Sequence, residues 1–142
     1  MPELTTVRRV IHPADCDMLG HMNVARYFDL VSDGGFTIQA ELGIDRQDMT
    51  DGRKLSFVVV RAESAFHSEI LAGDRVYVRS GVIETGRKAA TFQHCIFRSG
   101  DDRLCFETQF RTVLMSLERR RAVSIPDEIQ QRMQNYMIEE KT

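Results

Sequence analysis

Reactive side chains crowd into one short stretch of the chain, HPADCDMLGHMN, which carries His12, Asp15, Cys16, Asp17, His21 and Asn23. Carboxylates and imidazoles this close together suit acid–base or nucleophilic work, metal ligation, or plain turn capping. A calcium loop is excluded. Asp15, Asp17 and Gly20 fill its first, third and sixth positions, but the fifth is Leu19 and the twelfth, where a bidentate Glu belongs, is Arg26. A metal site of His12, Asp17 and His21 has no recognised ligand spacing. Cys16 and His21 have the residue types of a nucleophile pair, yet the flanking Asp15 and Asp17 disfavour a thiolate. For Asp15 the expectation is capping of loop amides, with Gly20 supplying a positive φ.

The position of the stretch matters, because a helical pattern begins directly after it. Val24, Phe28, Val31, Gly35, Ile38 and Leu42 recur at three- and four-residue steps, the period of a helix with one apolar face. Asn23 is its expected N-cap and Gly43 its stop. The first turn of such a helix has unpaired N–H groups at the positive end of the macrodipole, so the amides of Asn23, Val24 and Ala25 are placed to receive a developing oxyanion. A carboxylate a few residues upstream, Asp17, faces the same spot. Gly34 and Gly35 in mid-helix each cost about 1 kcal/mol relative to Ala, which predicts close packing against a wrapped sheet.

The elements that must hold this helix are strands. A β-prone segment precedes the loop at residues 4–12, and Pro13 ends it. After residue 53 the apolar period becomes two. Ser56, Val58, Val60, Ala62, Ser64 and Phe66 are expected on one face; Val76, Val78, Ser80 and Val82 on the next; then Ala90, Phe92, His94 and Ile96; and finally the even residues 104–114. Gly73, Gly86 and Gly100 mark antiparallel turns, and a helix from Pro126 with Ile129, Met133 and Met137 on one side closes the chain. The order predicts a single α+β domain over residues 1–142: an antiparallel sheet wrapped around one long central helix, with a C-terminal helix. Its edge strands call for pairing with a second copy, residues 56–66 above all.

Other candidates are weaker. Arg87 and Lys88, in the turn TGRKAA, suit phosphate oxygens, as does the run Arg119, Arg120 and Arg121, although hairpin tips and strand ends are often only solvated. Glu63 is a second candidate acid with no local anchor. His67 and His94 fall within strand patterns and read as core or interface residues.

The string Asp15-Cys16-Asp17-x-x-Gly20-His21-x-Asn23-x-x-x-Tyr27, followed by an apolar helix and four strands, resembles the 4-hydroxybenzoyl-CoA thioesterase family of the hotdog fold. The likeness covers nearly the whole chain in element order, and its specific motif is confined to residues 15–27. It implies an acyl-CoA thioesterase working at a dimer interface, as a dimer or dimer of dimers, without metal or organic cofactor. The catalytic carboxylate falls on Asp17, the thioester-polarising amide on or beside Val24, and the CoA-phosphate turn on Arg87 and Lys88. His21 and Asn23 belong to the same motif. The chain departs from related types. Tol-Pal-associated thioesterases have a His where Val24 stands; plant acyl-ACP thioesterases share Asp17 and His21 but have an Asn where Leu19 stands. An acyl-thioester dehydratase or hydratase and a non-catalytic acyl-CoA-binding module are the alternatives.

Bulk properties narrow the partners. The 142 residues carry 19 basic and 21 acidic side chains, a net charge of −2, so no global field draws the protein to nucleic acid or an anionic membrane. No window approaches the ~18 apolar residues of a membrane span, and the N-terminus has no signal-peptide core, which together predict a cytoplasmic protein. Cys16, Cys95 and Cys105 are scattered and odd in number, as reduced thiols are.

Overall fold

The computed structural model describes residues 4–138. In chain order they form β1 (Leu4–Val10), a 3-10 turn (Pro13–Asp15), α1 (Val24–Glu41), α2 (Arg46–Thr50), β2 (Leu55–Phe66), β3 (Arg75–Thr85), β4 (Ala89–Arg98), β5 (Arg103–Ser116), β6 (Arg121–Ala122) and α3 (Asp127–Gln134). The strands pair antiparallel in the order β1-β3-β4-β5-β2, with β6 on β5. The sheet curls around α1, which packs on β1, β3 and β4. This is the α+β hotdog arrangement, with its C-terminal helix.

Helix α1 begins and ends where local chemistry says it should. Asn23 Oδ1 accepts the Ala25 N–H at 3.0 Å, and Gly43 follows the helix at φ +99°. Its buried stripe, however, is Tyr27, Leu30, Val31, Gly34 and Ile38, so Val24 lies off it and is 55% exposed. The stripe turns because Tyr27 is drawn into an aromatic group with Phe66 and Phe106, at centroid distances of 5.0 and 5.1 Å.

Two apolar clusters lie under the helix. Tyr27, Leu30 and Val31 meet Val76, Val78, Ile96 and Phe106; further along, Ile38 and Leu42 meet Phe57, Val82, Phe92 and Leu114. Gly34 sits between them, and a Cβ there would stand 3.0 Å from Thr6 Oγ1, 3.1 Å from Ser80 Oγ and 3.3 Å from His94 Nδ1. The close packing expected of the glycine pair thus holds at Gly34. At Gly35 the nearest atom, His94 Nε2, would be 3.9 Å away, an ordinary contact.

The period of two holds in β3 and β4, whose residues Val76, Val78, Ser80, Val82, Ala90, Phe92, His94 and Ile96 are all buried. In β2 it breaks. Phe57 and Val59 stand opposite Leu114 and Thr112, whereas Ala62, Ser64 and Phe66 stand opposite Phe110, Thr108 and Phe106, with the register shifting between Val59 and Arg61. The extra residue of this β-bulge turns Val58 to the other face from Ala62, contrary to the single alternation expected. The last helix is also shorter than expected. Ile129 and Met133 are buried on α3, but Met137 lies beyond it and bridges to Val82. There Val82 N–H donates to Tyr136 O at 2.8 Å and Ile138 N–H to Val82 O at 2.7 Å, occupying the β3 edge that β1 leaves free.

The sequence pattern does not announce helix α2 or strand β6. Arg53 secures the first by reaching Asp48, Gly43 O and, on α3, Glu128. The outer edge of β2 stays uncovered, with Val59, Val60 and Phe66 about half exposed.

Candidate active site

The loop before α1 is folded by its own side chains. Asp15 is buried and takes the His12 N–H on Oδ2 at 2.8 Å and Arg9 Nη2 on Oδ1 at 2.7 Å. The His12 amide, with the Arg9 guanidinium behind it, holds this carboxyl below the ordinary range. Asp15 therefore does what was expected of it, capping the loop.

Asp17 is placed differently. Its Oδ1 accepts the Leu19 N–H and its Oδ2 accepts Asn23 Nδ2–H, both at 2.9 Å, while the Gly20 N–H closes the turn on Asp17 O at 3.0 Å. The Leu19 amide first, then the Asn23 amide, keep its carboxyl below the usual range, so it is ionised at neutral pH. Gly20 has the positive φ, +87°, expected of it.

Asn23 joins this carboxylate to the helix. Its N–H donates to Asp15 O at 2.9 Å, its Oδ1 takes the Ala25 N–H, and its O takes the Arg26 N–H at 2.9 Å. Of the three amides proposed to meet an oxyanion, those of Asn23 and Ala25 are thus occupied. That of Val24 has no partner among the described residues.

Beside Val24 opens a cleft of about 380 Å³. Val24 and Tyr27 of α1 form one wall with His21 and Met22, and Phe66, His67, Ser68 and Glu69 form the other. The second wall is pinned from behind: His67 and Ser68 N–H both donate to Cys105 O, at 2.8 and 3.2 Å, and Met22 N–H donates to Ile70 O at 2.7 Å. The floor is aromatic and the rim is charged. His21 Nδ1 lies 3.5 Å from Glu69 Oε1, and His67 Nε2 lies 3.8 Å from Glu107 Oε1.

The fold brings His21 and Val24 onto the cleft and ties Asp17 and Asn23 to the helix start beside Val24, though neither is among the residues that line it. Arg87 and Lys88 are elsewhere. Their hairpin between β3 and β4 is exposed, closed by Gly86 N–H to Ala89 O at 2.7 Å, with Arg87 Nε 3.3 Å from Ser124 Oγ. It lies where β2 begins, and the cleft lies where β2 ends. Arg119 and Arg120 lie in the turn after β5, and Arg121 opens β6. Glu63 pairs with Arg61 at 2.8 Å on the outer face, outside the cleft. Cys16 Sγ contacts His12 O at 3.8 Å rather than His21.

Sequence reasoning missed the wall at residues 66–69. The strand pattern makes His67 a core or interface residue; it lies past the end of β2 with its side chain 43% exposed, so it is not part of the core. The only signal was the run FHSE at the end of an apolar alternation. Nothing local says that this end, rather than the other, meets the start of α1. Among the described residues no group of three His, Cys, Asp or Glu is arranged to hold a metal ion, and no helix is long and apolar enough to cross a membrane.

Comparison with known proteins agrees with this architecture. The hypothetical protein SAV2348 from Staphylococcus aureus, solved in complex with CoA, superposes with a TM-score of 0.85 at 15% identity, covering 96% of this chain and 85% of that one. The gentisyl-coenzyme A thioesterase BH1999 gives 0.76 at 20% identity, covering 90% and 98%. A 1,4-dihydroxy-2-naphthoyl-CoA thioesterase from Synechocystis gives 0.74 at 17%, covering 91% and 94%. At such identities these likenesses show a shared fold. No curated protein sequence matches the chain. The model of the thioesterase-like superfamily, however, matches residues 11–133, and the chain belongs to that superfamily.

Proposed function

We propose that this protein hydrolyses an acyl-CoA to the free acid and CoA. The observation that carries the reading is the start of α1, where Asn23 holds an ionised Asp17 and leaves the Val24 N–H unmet beside a cleft with an aromatic floor. In this reading the thioester carbonyl points at the Val24 amide, whose hydrogen bond strengthens as the oxygen becomes an oxyanion. Asp17 either deprotonates the attacking water or attacks the carbonyl itself. In the second course it forms a mixed anhydride and expels CoA as the thiolate, and water then releases the acid and restores the carboxylate. His21, on the rim near Glu69, is a substrate-site residue. The CoA-bound relative and the two CoA thioesterases of like fold support the substrate class.

The same reading requires a second copy. The free β2 edge presents Val59, Val60 and Phe66, an aggregation risk if left open. Antiparallel pairing of β2 with a partner's β2 carries the Arg87 and Lys88 hairpin of one copy to the end of the joint sheet where the other's cleft lies, within reach of CoA phosphates. Light scattering should find a dimer or tetramer at micromolar concentration. Thiol release across a panel of acyl-CoAs, set beside binding of the same panel, tests the activity. Binding without release at every acyl group would overturn it in favour of a carrier module.

A further inference from the structure

A polar seam crosses the middle of the core, away from the cleft. Ser80 of β3, His94 of β4 and Thr108 of β5 stand opposite one another in register, each no more than 1% exposed. Thr6 of β1 joins at one side, 2.9 Å from Ser80 Oγ, and Ser64 of β2 at the other, 2.8 Å from Thr108 Oγ1. The row runs under Gly34 and Gly35 and parts the two apolar clusters.

Thr6 Oγ1 lies 3.4 Å from Val78 O and 2.9 Å from Ser80 Oγ, and Ser80 Oγ lies 2.6 Å from His94 Nδ1. A run of donors that ends on Val78 O starts at His94 Nδ1–H and leaves Nε2 a bare lone pair; the opposite run, starting at Thr6, puts the proton on Nε2. Of the two, the first is taken for His94. Its Nε2 is buried and has no partner among the described residues. The His94 ring meets Phe110 edge-on at 5.3 Å, and the Cβ that Gly35 lacks would stand 3.9 Å from Nε2.

We propose that His94 is an acid-sensitive joint of the fold: a single proton taken up at Nε2 releases the middle of α1 from the sheet. A protonated Nε2 becomes a donor with no acceptor, carrying a charge that no described residue nearby offsets. The groups facing it are Thr6 from β1, Ser80 from β3, Thr108 and Phe110 from β5, and Gly34 and Gly35 from α1, all of them neutral. Burial alone pushes the imidazole from 6.5 down to about 4. Because this pKa is lowered by folding, the unfolded chain takes the proton first. Stability is full above pH 6.5, declines as pH falls toward 4, and levels off below. At pH 5 the folding equilibrium should be weaker by on the order of thirtyfold. Since α1 carries Val24 and its cap Asn23 holds Asp17, opening at the joint disables the cleft. That last link rests on the proposed function; the joint itself does not.

Two measurements on the intact protein, neither using activity, test it. Long-range 1H–15N spectra of the wild-type histidines should show His94 as the Nδ1–H tautomer, uncharged from pH 8 to 5. Thermal unfolding followed from pH 7 to 4.5 should show a falling Tm for the wild type and a flatter profile for His94→Gln. An imidazole that titrates near 6.5, an Nε2–H tautomer, or parallel Tm profiles would each overturn the proposal. If His94→Gln fails to fold, the wild-type spectra decide.

Discussion

The two ends of α1 are finished in opposite ways. At the C-terminal end the polar groups are answered: Leu42 N–H bonds to Ile38 O at 3.0 Å, Gly43 N–H to Ala40 O at 3.0 Å and Ile44 N–H to Gln39 O at 2.9 Å. Gln39 Oε1 in turn accepts the Phe57 N–H at 2.9 Å, and Arg53 Nη2 reaches Gly43 O at 2.7 Å. At the N-terminal end Val24 keeps an unmet amide, and Val24 and Phe66 stand more than half exposed over an open cleft. Both ends rest on apolar clusters, so burial does not separate them. What separates them is the unmet donor, which is tolerated because Val24 is exposed at the open cleft, where water or a ligand can reach it. Chemistry is to be sought where hydrogen bonding is left incomplete.

The sharpest attempt to break this contrast is Asp17→Asn. It keeps the side chain's size and removes the charge, and kcat should fall by about 10²–10⁴-fold with the fold intact by circular dichroism. Asp15→Asn, two residues away, should do the reverse. Activity per folded molecule survives, while stability falls by ~1–3 kcal/mol as the buried partner of Arg9 and the His12 amide is weakened. Because the Asp15 carboxyl is held low by folding, its contribution is present at neutral pH and lost as pH falls below 3.8. Asp15→Asn should therefore converge in stability with wild type in strong acid. Near-full activity in Asp17→Asn would mean that the incomplete end is not the reactive one.

Asn23 offers a finer division, since it serves both helix and carboxylate. Asn23→Ala should cost about 1 kcal/mol of stability through the lost cap. Asn23→Ser restores a capping oxygen but not the Nδ2–H that reaches Asp17, so denaturant titration should recover while kcat stays low. Equal recovery of both would reduce Asn23 to a cap.

A smaller effect is expected at the far end of the sheet. Replacing Arg87 and Lys88 together by Ala should raise KM for acyl-CoA by up to about tenfold, weaken its salt dependence, and leave turnover of a short thioester without the nucleotide unchanged. An unaltered KM returns that hairpin to solvent.

The smallest effects should appear at the glycines between the two ends. Gly35→Ala meets only an ordinary contact, and the helix should gain up to about 1 kcal/mol. Gly34→Ala presses on Thr6, Ser80 and His94, which are bonded to one another and cannot all retreat, so it should lower Tm instead. A Tm that rises for both would mean that the seam yields more easily than its hydrogen bonds suggest.

Much of this was legible in the residues themselves. Asn23 as cap, Gly43 as stop, Gly20 at positive φ, Asp15 as a loop-folding carboxylate and the inward faces of β3 and β4 come from interactions between residues a few positions apart. Local chemistry of that kind acts wherever the chain is. Tertiary structure alone decided the rest. The bulge after Val59 depends on how β2 meets β5, and the wall at residues 66–69 depends on which end of that strand abuts α1. That Val24 alone keeps its amide free could not be read from a motif, because Asp15 O and Asn23 Oδ1 claim its neighbours only once the loop is closed. The tautomer of His94 hangs on Thr6 and Ser80, brought within 2.9 Å although 74 positions apart. Period and composition report which face of an element avoids water; which distant group answers a given donor is settled only when the sheet has closed around the helix.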